Sequence, residues 1–189
     1  MTGEEVEPTV VSPALLRERP LPAVGSVADK DQRGQVVVVG GSDQTPGGVL
    51  LAGLAALRAG AGKLQIATSA PVAPSLAVAV PESRVVSLPQ SASGALEPTA
   101  ALGELLGSAD AVLVGTGALS PAAVDGLFRF VVAALGERTA IVVDAGALPV
   151  LAEDPGLLRP VASRAVVMPN AVEASVLLDI DGDELGEDG

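Results

Sequence analysis

The chain has 189 residues, 49% hydrophobic but 1% aromatic, with no cysteine, no histidine and a formal net charge of −12. The missing cysteines exclude disulfides and thiolate chemistry. The missing histidines remove the commonest general base and metal ligand, which leaves carboxylates, Lys or Arg, hydroxyls and backbone groups. With no basic stripe and almost no stacking aromatics, the pattern argues against nucleic-acid binding.

This length accommodates one domain with a sizeable core, built here from Val, Leu, Ala and Ile. No uninterrupted apolar run reaches about 18 residues, so no membrane span is expected. The opening MTGEEVEP is acidic without an apolar stretch, so no secretory signal is expected and the localisation reads as cytoplasmic. Half of the excess negative charge lies in the last fourteen residues, from Val176 onward.

In chain order, Met1 to Pro8 reads as an acidic leader. Ser12 is placed to cap a short helix over Pro13 to Glu18, which Pro20 and Pro22 close. Ser26 to Arg33 is a polar approach to the stretch that organises the chain, Gly34 to Thr68. There Val36 to Val39 lack polar alternation and read as a strand buried on both faces of a parallel sheet. A loop of Gly, Ser, Asp, Thr and Pro follows over Gly40 to Gly48. A helix from Val49 to Ala59 stops at Gly60 and Gly62, and Leu64 to Thr68 is a second strand. Arg84 to Leu88 is expected as a strand, Gln90 to Ser93 as a loop and Glu97 to Leu106 as a helix. Ala111 to Val114 is a strand ending in Gly115, and Pro121 to Leu135 a helix with Pro121 near its N-terminus. Ala140 to Val143 is a strand ending in Asp144, with helix resuming over Ala147 to Leu151. Ala165 to Met168 is a strand stopped by Pro169, and Asn170 caps a helix over Ala171 to Leu178. No internal repeat is present. Repeated β-α alternation makes this a doubly wound or related three-layer α/β fold.

Ligands in such sheets bind beyond the carboxyl ends of strands, so four strand ends carry candidates. At the first, Gly40, Gly41, Ser42, Asp43, Pro46, Gly47 and Gly48 form either a ligand loop or a tight turn; the loop is neither a Walker A nor a GxGxxG motif. At the second, Gly115-Thr116-Gly117 suits a tight connection at least as well as a pocket wall. At the third, Asp144 is placed for function or for capping the turn after it. At the fourth, Asn170 and Glu173 make N-x-x-E, which on spacing alone is a capping box, with a Mg²⁺-organising carboxylate as the other reading. The tail from Asp179 fails the EF-hand pattern at its sixth position, Glu184, and reads as a solvated acidic segment.

Taken together, DQRGQVVVVGGSDQTPGGVLLAGLAALRAGAGKLQIAT, ADAVLVGTGALS, IVVDAGAL and VVMPNAVEASVLL resemble the NAD(P)H-hydrate dehydratase family of the ribokinase-like superfamily. PALLRERPLP resembles the family's approach segment, so coverage runs from about Pro13 to Leu178. The resemblance implies a three-layer ribokinase-like fold, with 1–30 as leader and approach and 31–189 as the N-terminal part of a dehydratase domain that stops short at its C-terminus. It implies dehydration of hydrated NADH or NADPH with ADP or ATP as co-substrate and Mg²⁺ as cofactor. The ring hydroxyl is activated by phosphoryl transfer, and phosphate then leaves, pushed by the ring nitrogen. By carry-over, Gly47 and Gly48 contact the hydrated nucleotide, Gly115 and Gly117 line the same pocket, and Asn170 contacts substrate. Asp144 and Glu173 belong with the phosphates, Glu173 with Mg²⁺.

The chain departs from the family pattern in several places. It has Gly48 where the family usually has Ala, GTGAL for Gly-Pro-Gly-Leu-Gly, and MPNAVE for Thr-Pro-His-Pro-Gly-Glu. The last change creates the N-x-x-E of sugar and vitamin kinases. No Gly-x-Gly-Asp, the family's catalytic aspartate segment, occurs in the 189 residues. The rival readings are therefore a small-molecule kinase of the same superfamily and a nucleotide-binding module without turnover. A domain of this fold cut here exposes apolar faces, which implies marginal stability or a homo-oligomer and no turnover by the chain alone.

Overall fold

The computed structural model describes residues 10–20, 30 and 32–180. The acidic leader, most of the polar approach and the acidic tail beyond Ile180 lie outside the described residues. Six strands, β1 (Gln35–Val39), β2 (Lys63–Ser69), β3 (Ser83–Leu88), β4 (Ala111–Val114), β5 (Ala140–Val143) and β6 (Ala165–Val167), form one all-parallel sheet of order β3-β2-β1-β4-β5-β6. The helices are α1 (Pro13–Glu18), α2 (Gly47–Ala59), α3 (Ala73–Ala79), α4 (Ala100–Ser108), α5 (Pro121–Ala134), α6 (Leu148–Glu153) and α7 (Ala171–Leu178).

The continuous valine run of β1 follows from its central place. Val37 and Val39 pack with Leu102, Leu106, Leu127 and Phe128 of α4 and α5 on one face, while Val38 packs with Val49, Ile66 and Leu76 under α2 and α3 on the other. Both cores are aliphatic apart from Phe128 and Phe130 of α5. Strand order reverses between β1 and β4, so the loops after these two strands face each other across the switch point where open α/β sheets take ligands.

Local chemistry sets most element ends. Ser12 Oγ accepts from Leu15 N at 3.2 Å, and Gly60 closes α2 with φ +109°. α4 starts at Ala100, later than the sequence pattern implies, because Thr99 Oγ1 takes the Leu102 N–H at 3.2 Å immediately after Pro98. α2 begins two residues earlier than expected, at Gly47, and β6 ends at Val167. After Asp144 the chain makes a 3₁₀ turn over Ala145–Ala147 before α6. Neither α3 nor a second 3₁₀ turn, Arg159–Arg164, was signalled by the sequence pattern.

Arg129 of α5 ties this layer together, bonding Asp125 at 2.9 Å and Asp154, just beyond α6, at 2.7 Å. The Arg129 guanidinium, by that hydrogen bond first, holds the Asp154 carboxyl below its ordinary range. The small stabilisation is therefore complete at neutral pH and is lost as acidification passes the lowered folded-state value.

β6 is one edge of the sheet. Val166 is 54% exposed and Met168 55%, and Val172, Val176 and Leu178 of α7 are exposed beside them. An edge strand with apolar side chains invites pairing. At micromolar concentration the chain is expected to self-associate through this edge. Val166→Lys should raise the dissociation constant at least about fivefold in sedimentation velocity, the effect of removing an interface side chain worth about 1 kcal/mol.

Candidate functional site

The site grows from the loops at the carboxyl end of the sheet. After β1, Ser42 and Thr45 build a hydroxyl turn: Thr45 N donates to Ser42 Oγ at 3.0 Å, and the two hydroxyls lie 2.6 Å apart. Thr45 Oγ1 also lies 2.7 Å from the carbonyl of Gly117 in the loop after β4. A carbonyl only accepts, so the one proton of Thr45 goes there, and Ser42 must donate to Thr45. Gly41 N adds a 2.8 Å bond to Thr116 O. Two loops 72 residues apart are thus stitched together by a directed chain of hydrogen bonds.

Their glycines are required by this stitching. A Cβ on Gly117 would stand 2.7 Å from Thr45 O, and one on Gly48 would stand 2.8 Å from Gly117 N and 3.1 Å from Thr116 Oγ1. Gly115 has φ +108°, and a Cβ there would run into Asp144 O and lie 2.8 Å from Ala147 N. The β4 loop therefore locks to the β5 loop on one side and to the β1 loop on the other. Gly47 is different: nothing lies within 4 Å of the place its Cβ would take. It opens α2, whose N-terminus has no side-chain cap; the Gly48 N–H turns back to Thr45 O at 3.4 Å and Val49 is buried, so Gly47 is the exposed position of this first turn.

Asp144 stands at the end of β5. Its backbone continues the sheet, donating to Val114 O at 3.1 Å, but its side chain does not cap the 3₁₀ turn that follows. The capping alternative for this residue is therefore not realised. Ala145 next to it holds φ +46°, a left-handed conformation costing about 1 kcal/mol or more in a residue other than glycine. Beyond β6, Asn170 Oδ1 accepts from Glu173 N and Glu173 Oε2 accepts from Asn170 N, both at 2.9 Å, a complete capping box. Thus Asp144 and Glu173 belong to connections after neighbouring strands. Among the described residues no three or more carboxylates come together as a metal site.

Comparison with known proteins decides the family. A model described as NAD(P)H-hydrate dehydratase matches residues 36–188. The ADP-dependent (S)-NAD(P)H-hydrate dehydratase of Xanthomonas campestris is 43% identical over 183 residues, which are 96% of this chain and 59% of that protein. The chain belongs to the NAD(P)H-hydrate dehydratase family. An Enterococcus faecalis protein of the ribokinase-like superfamily shares the fold, with TM-score 0.76 and 22% identity over 88% of this chain and 55% of the other. The ADP/ATP-dependent NAD(P)H-hydrate dehydratase of Bacillus subtilis, co-crystallised with ATP/Mg²⁺, gives TM-score 0.62 and 26% identity over 87% of this chain and 54% of the other. The chain thus spans a little over half the length of these relatives.

Within this family, two of the chain's departures from the usual pattern, Gly48 and Thr116, lie against each other. Thr45 was missed as an individual site residue, although a hydroxyl three residues after Ser42 in a glycine loop is the signal of such a turn. The geometry separates the glycines by role. Gly115→Ala should destabilise the chain by about 1–3 kcal/mol. Gly47→Ala should leave stability within about 1 kcal/mol of the parent. Urea unfolding of the two variants measures both.

Proposed function

We propose that this dehydratase-family domain serves nicotinamide nucleotide repair, the ADP- or ATP-dependent dehydration of hydrated NADH or NADPH. The observation that carries the reading is the 43% identity to the Xanthomonas enzyme across nearly the whole chain. The stitched glycine loops at the switch point supply a rigid wall consistent with it. The substrate is a small molecule; a cytoplasmic location and a homo-oligomer complete the proposal. Among the described residues no helix is long and apolar enough to cross a membrane.

In this reading, the uncapped start of α2 at Gly47 receives a phosphate of the hydrated nucleotide on its N–H groups. Gly48 acts indirectly, by letting the loop after β4 approach, and Gly115 and Gly117 shape the pocket wall. Asp144 and Asn170 face the substrate from the ends of β5 and β6. Glu173 spends one oxygen on the capping box and keeps the other, which fits Mg²⁺ held mainly by phosphates and water with few protein carboxylates. When bound, Mg²⁺ neutralises charge on the transferring phosphoryl group. The hydroxyl of the hydrated ring would give up its proton and take that group; phosphate then leaves, pushed by the ring nitrogen, and loss of the proton on the adjacent ring carbon to solvent re-forms the carbon–carbon double bond. These residues position and orient. The base for the hydroxyl belongs, by family resemblance, to the Gly-x-Gly-Asp segment, which the 189 residues do not contain.

The test mixes the chain with hydrated NADH, Mg²⁺ and ADP or ATP, and follows both binding and the return of NADH absorbance. The chain is expected to bind hydrated NADH without turning it over. A version extended through the stretch that the longer relatives carry should restore NADH. ADP formation from ATP with a sugar or vitamin alcohol, but not with hydrated NADH, would make the protein a kinase. Binding without turnover even in the extended version would make it a nucleotide-binding module.

A further inference from the structure

At the amino edge of the sheet, away from the loops described above, lies a polar pocket of about 380 Å³. Strand register lays its floor. Across β1, β2 and β3, Val37, Gln65 and Arg84 are paired side by side, so their side chains leave the same face of the sheet. Val37 is fully buried in the core under α4 and α5, whereas Arg84 is exposed. Gln65 therefore stands at the boundary between dry core and polar pocket. Lys63, two residues earlier on β2, points to the same face. The segment before β1 closes over this end, since a Cβ on Gly62 would strike the carbonyl of Lys30.

Two independent features point to an anionic ligand that also carries a proton. The first is charge: among the described residues, Lys30, Lys63 and Arg84 line the pocket against one carboxylate, Glu82. The second is Gln65. It lines the same pocket, is 7% exposed, and its Oε1 has no hydrogen-bond partner among the described residues. A buried acceptor left unpaired is costly and uncommon in folded proteins. The last torsion of a glutamine is soft, so a partial turn of the amide presents the oxygen to a donor in the pocket.

We infer that this pocket binds inorganic phosphate. Lys63 and Arg84 supply charge and N–H donors to the phosphate oxygens. Gln65 accepts the proton that inorganic phosphate keeps at neutral pH. Sulfate resembles the phosphate dianion in shape and charge but has no proton there, so it leaves Gln65 unpaired. The site is separate from the one at the carboxyl edge, because Lys63 and Ser69 at the two ends of β2 stand about 20 Å apart. It does not depend on the dehydratase reading.

The test is calorimetric titration of the 189-residue chain with sodium phosphate and with sodium sulfate, at neutral pH and fixed ionic strength. Melting temperatures are recorded beside it. The parent should bind phosphate at least about tenfold more tightly than sulfate, the scale of a buried acceptor gaining its partner. Gln65→Met, which removes the acceptor at similar volume, should bind the two anions alike. At the exposed positions, Arg84→Gln should weaken both anions about threefold and Glu82→Gln should tighten both, with the melting temperature of the ligand-free chain unchanged. No phosphate binding, equal parent affinities, or a phosphate preference that survives Gln65→Met would overturn the assignment. So would a phosphate affinity that Arg84→Gln leaves unmoved, because the ion would then sit elsewhere on the chain.

Discussion

The carboxyl edge of the sheet depends on two loops occupying each other's space. Thr45 delivers its one proton to Gly117, Ser42 delivers its own to Thr45, and glycine stands wherever a side chain would have forced the loops apart. Because Gly115 touches the turn after Asp144 as closely, the ends of β1, β4 and β5 behave as one piece. The strained Ala145 sits inside this lock, between Asp144 and Gly146, which the loop after β4 approaches closely. A wall assembled in this way needs no ligand to organise it. Its one open backbone position among the loop glycines named above is Gly47, at the head of α2.

Much of this was legible in the sequence. The bounds of α1, β4, β5 and α7 follow from Ser12, the apolar runs ending at Gly115 and Asp144, and the Asn170–Glu173 box, all of them local signals. Repeated β-α alternation implied a parallel sheet. What stayed hidden is instructive in physical terms. α3 is seven residues of mostly small apolar side chains with Pro74 in its first turn, so neither periodicity nor capping announced it. The glycines were visible, but the direction in which each lacks a side chain was not. Gly47 and Gly48 are adjacent in sequence, yet one faces open space and the other faces Gly117. Likewise Asp43 accepts from Ser69 at the end of β2, a tertiary contact that no spacing rule encodes.

Charge at this edge then narrows the chemistry. No Lys or Arg occurs in the residues directly following β1, β2, β4, β5 or β6, while Asp43, Asp144 and Glu173 all do. The sequence places Arg33, Lys63 and Arg84 at or near the beginnings of strands instead, at the opposite end of the sheet. A phosphate-bearing ligand at the carboxyl edge therefore finds no cationic side chain from these loops. Two sources of positive potential remain: the N–H groups at the head of α2, and a divalent cation arriving with the nucleotide. Under the proposed reading, the same carboxylates that would repel a bare polyphosphate would serve as ligands or water-holders for that cation. The acidic rim is thus coherent with the proposed function, in which a nucleotide would arrive as its Mg²⁺ complex and the backbone dipole of α2 would face the less charged phosphates of a dinucleotide.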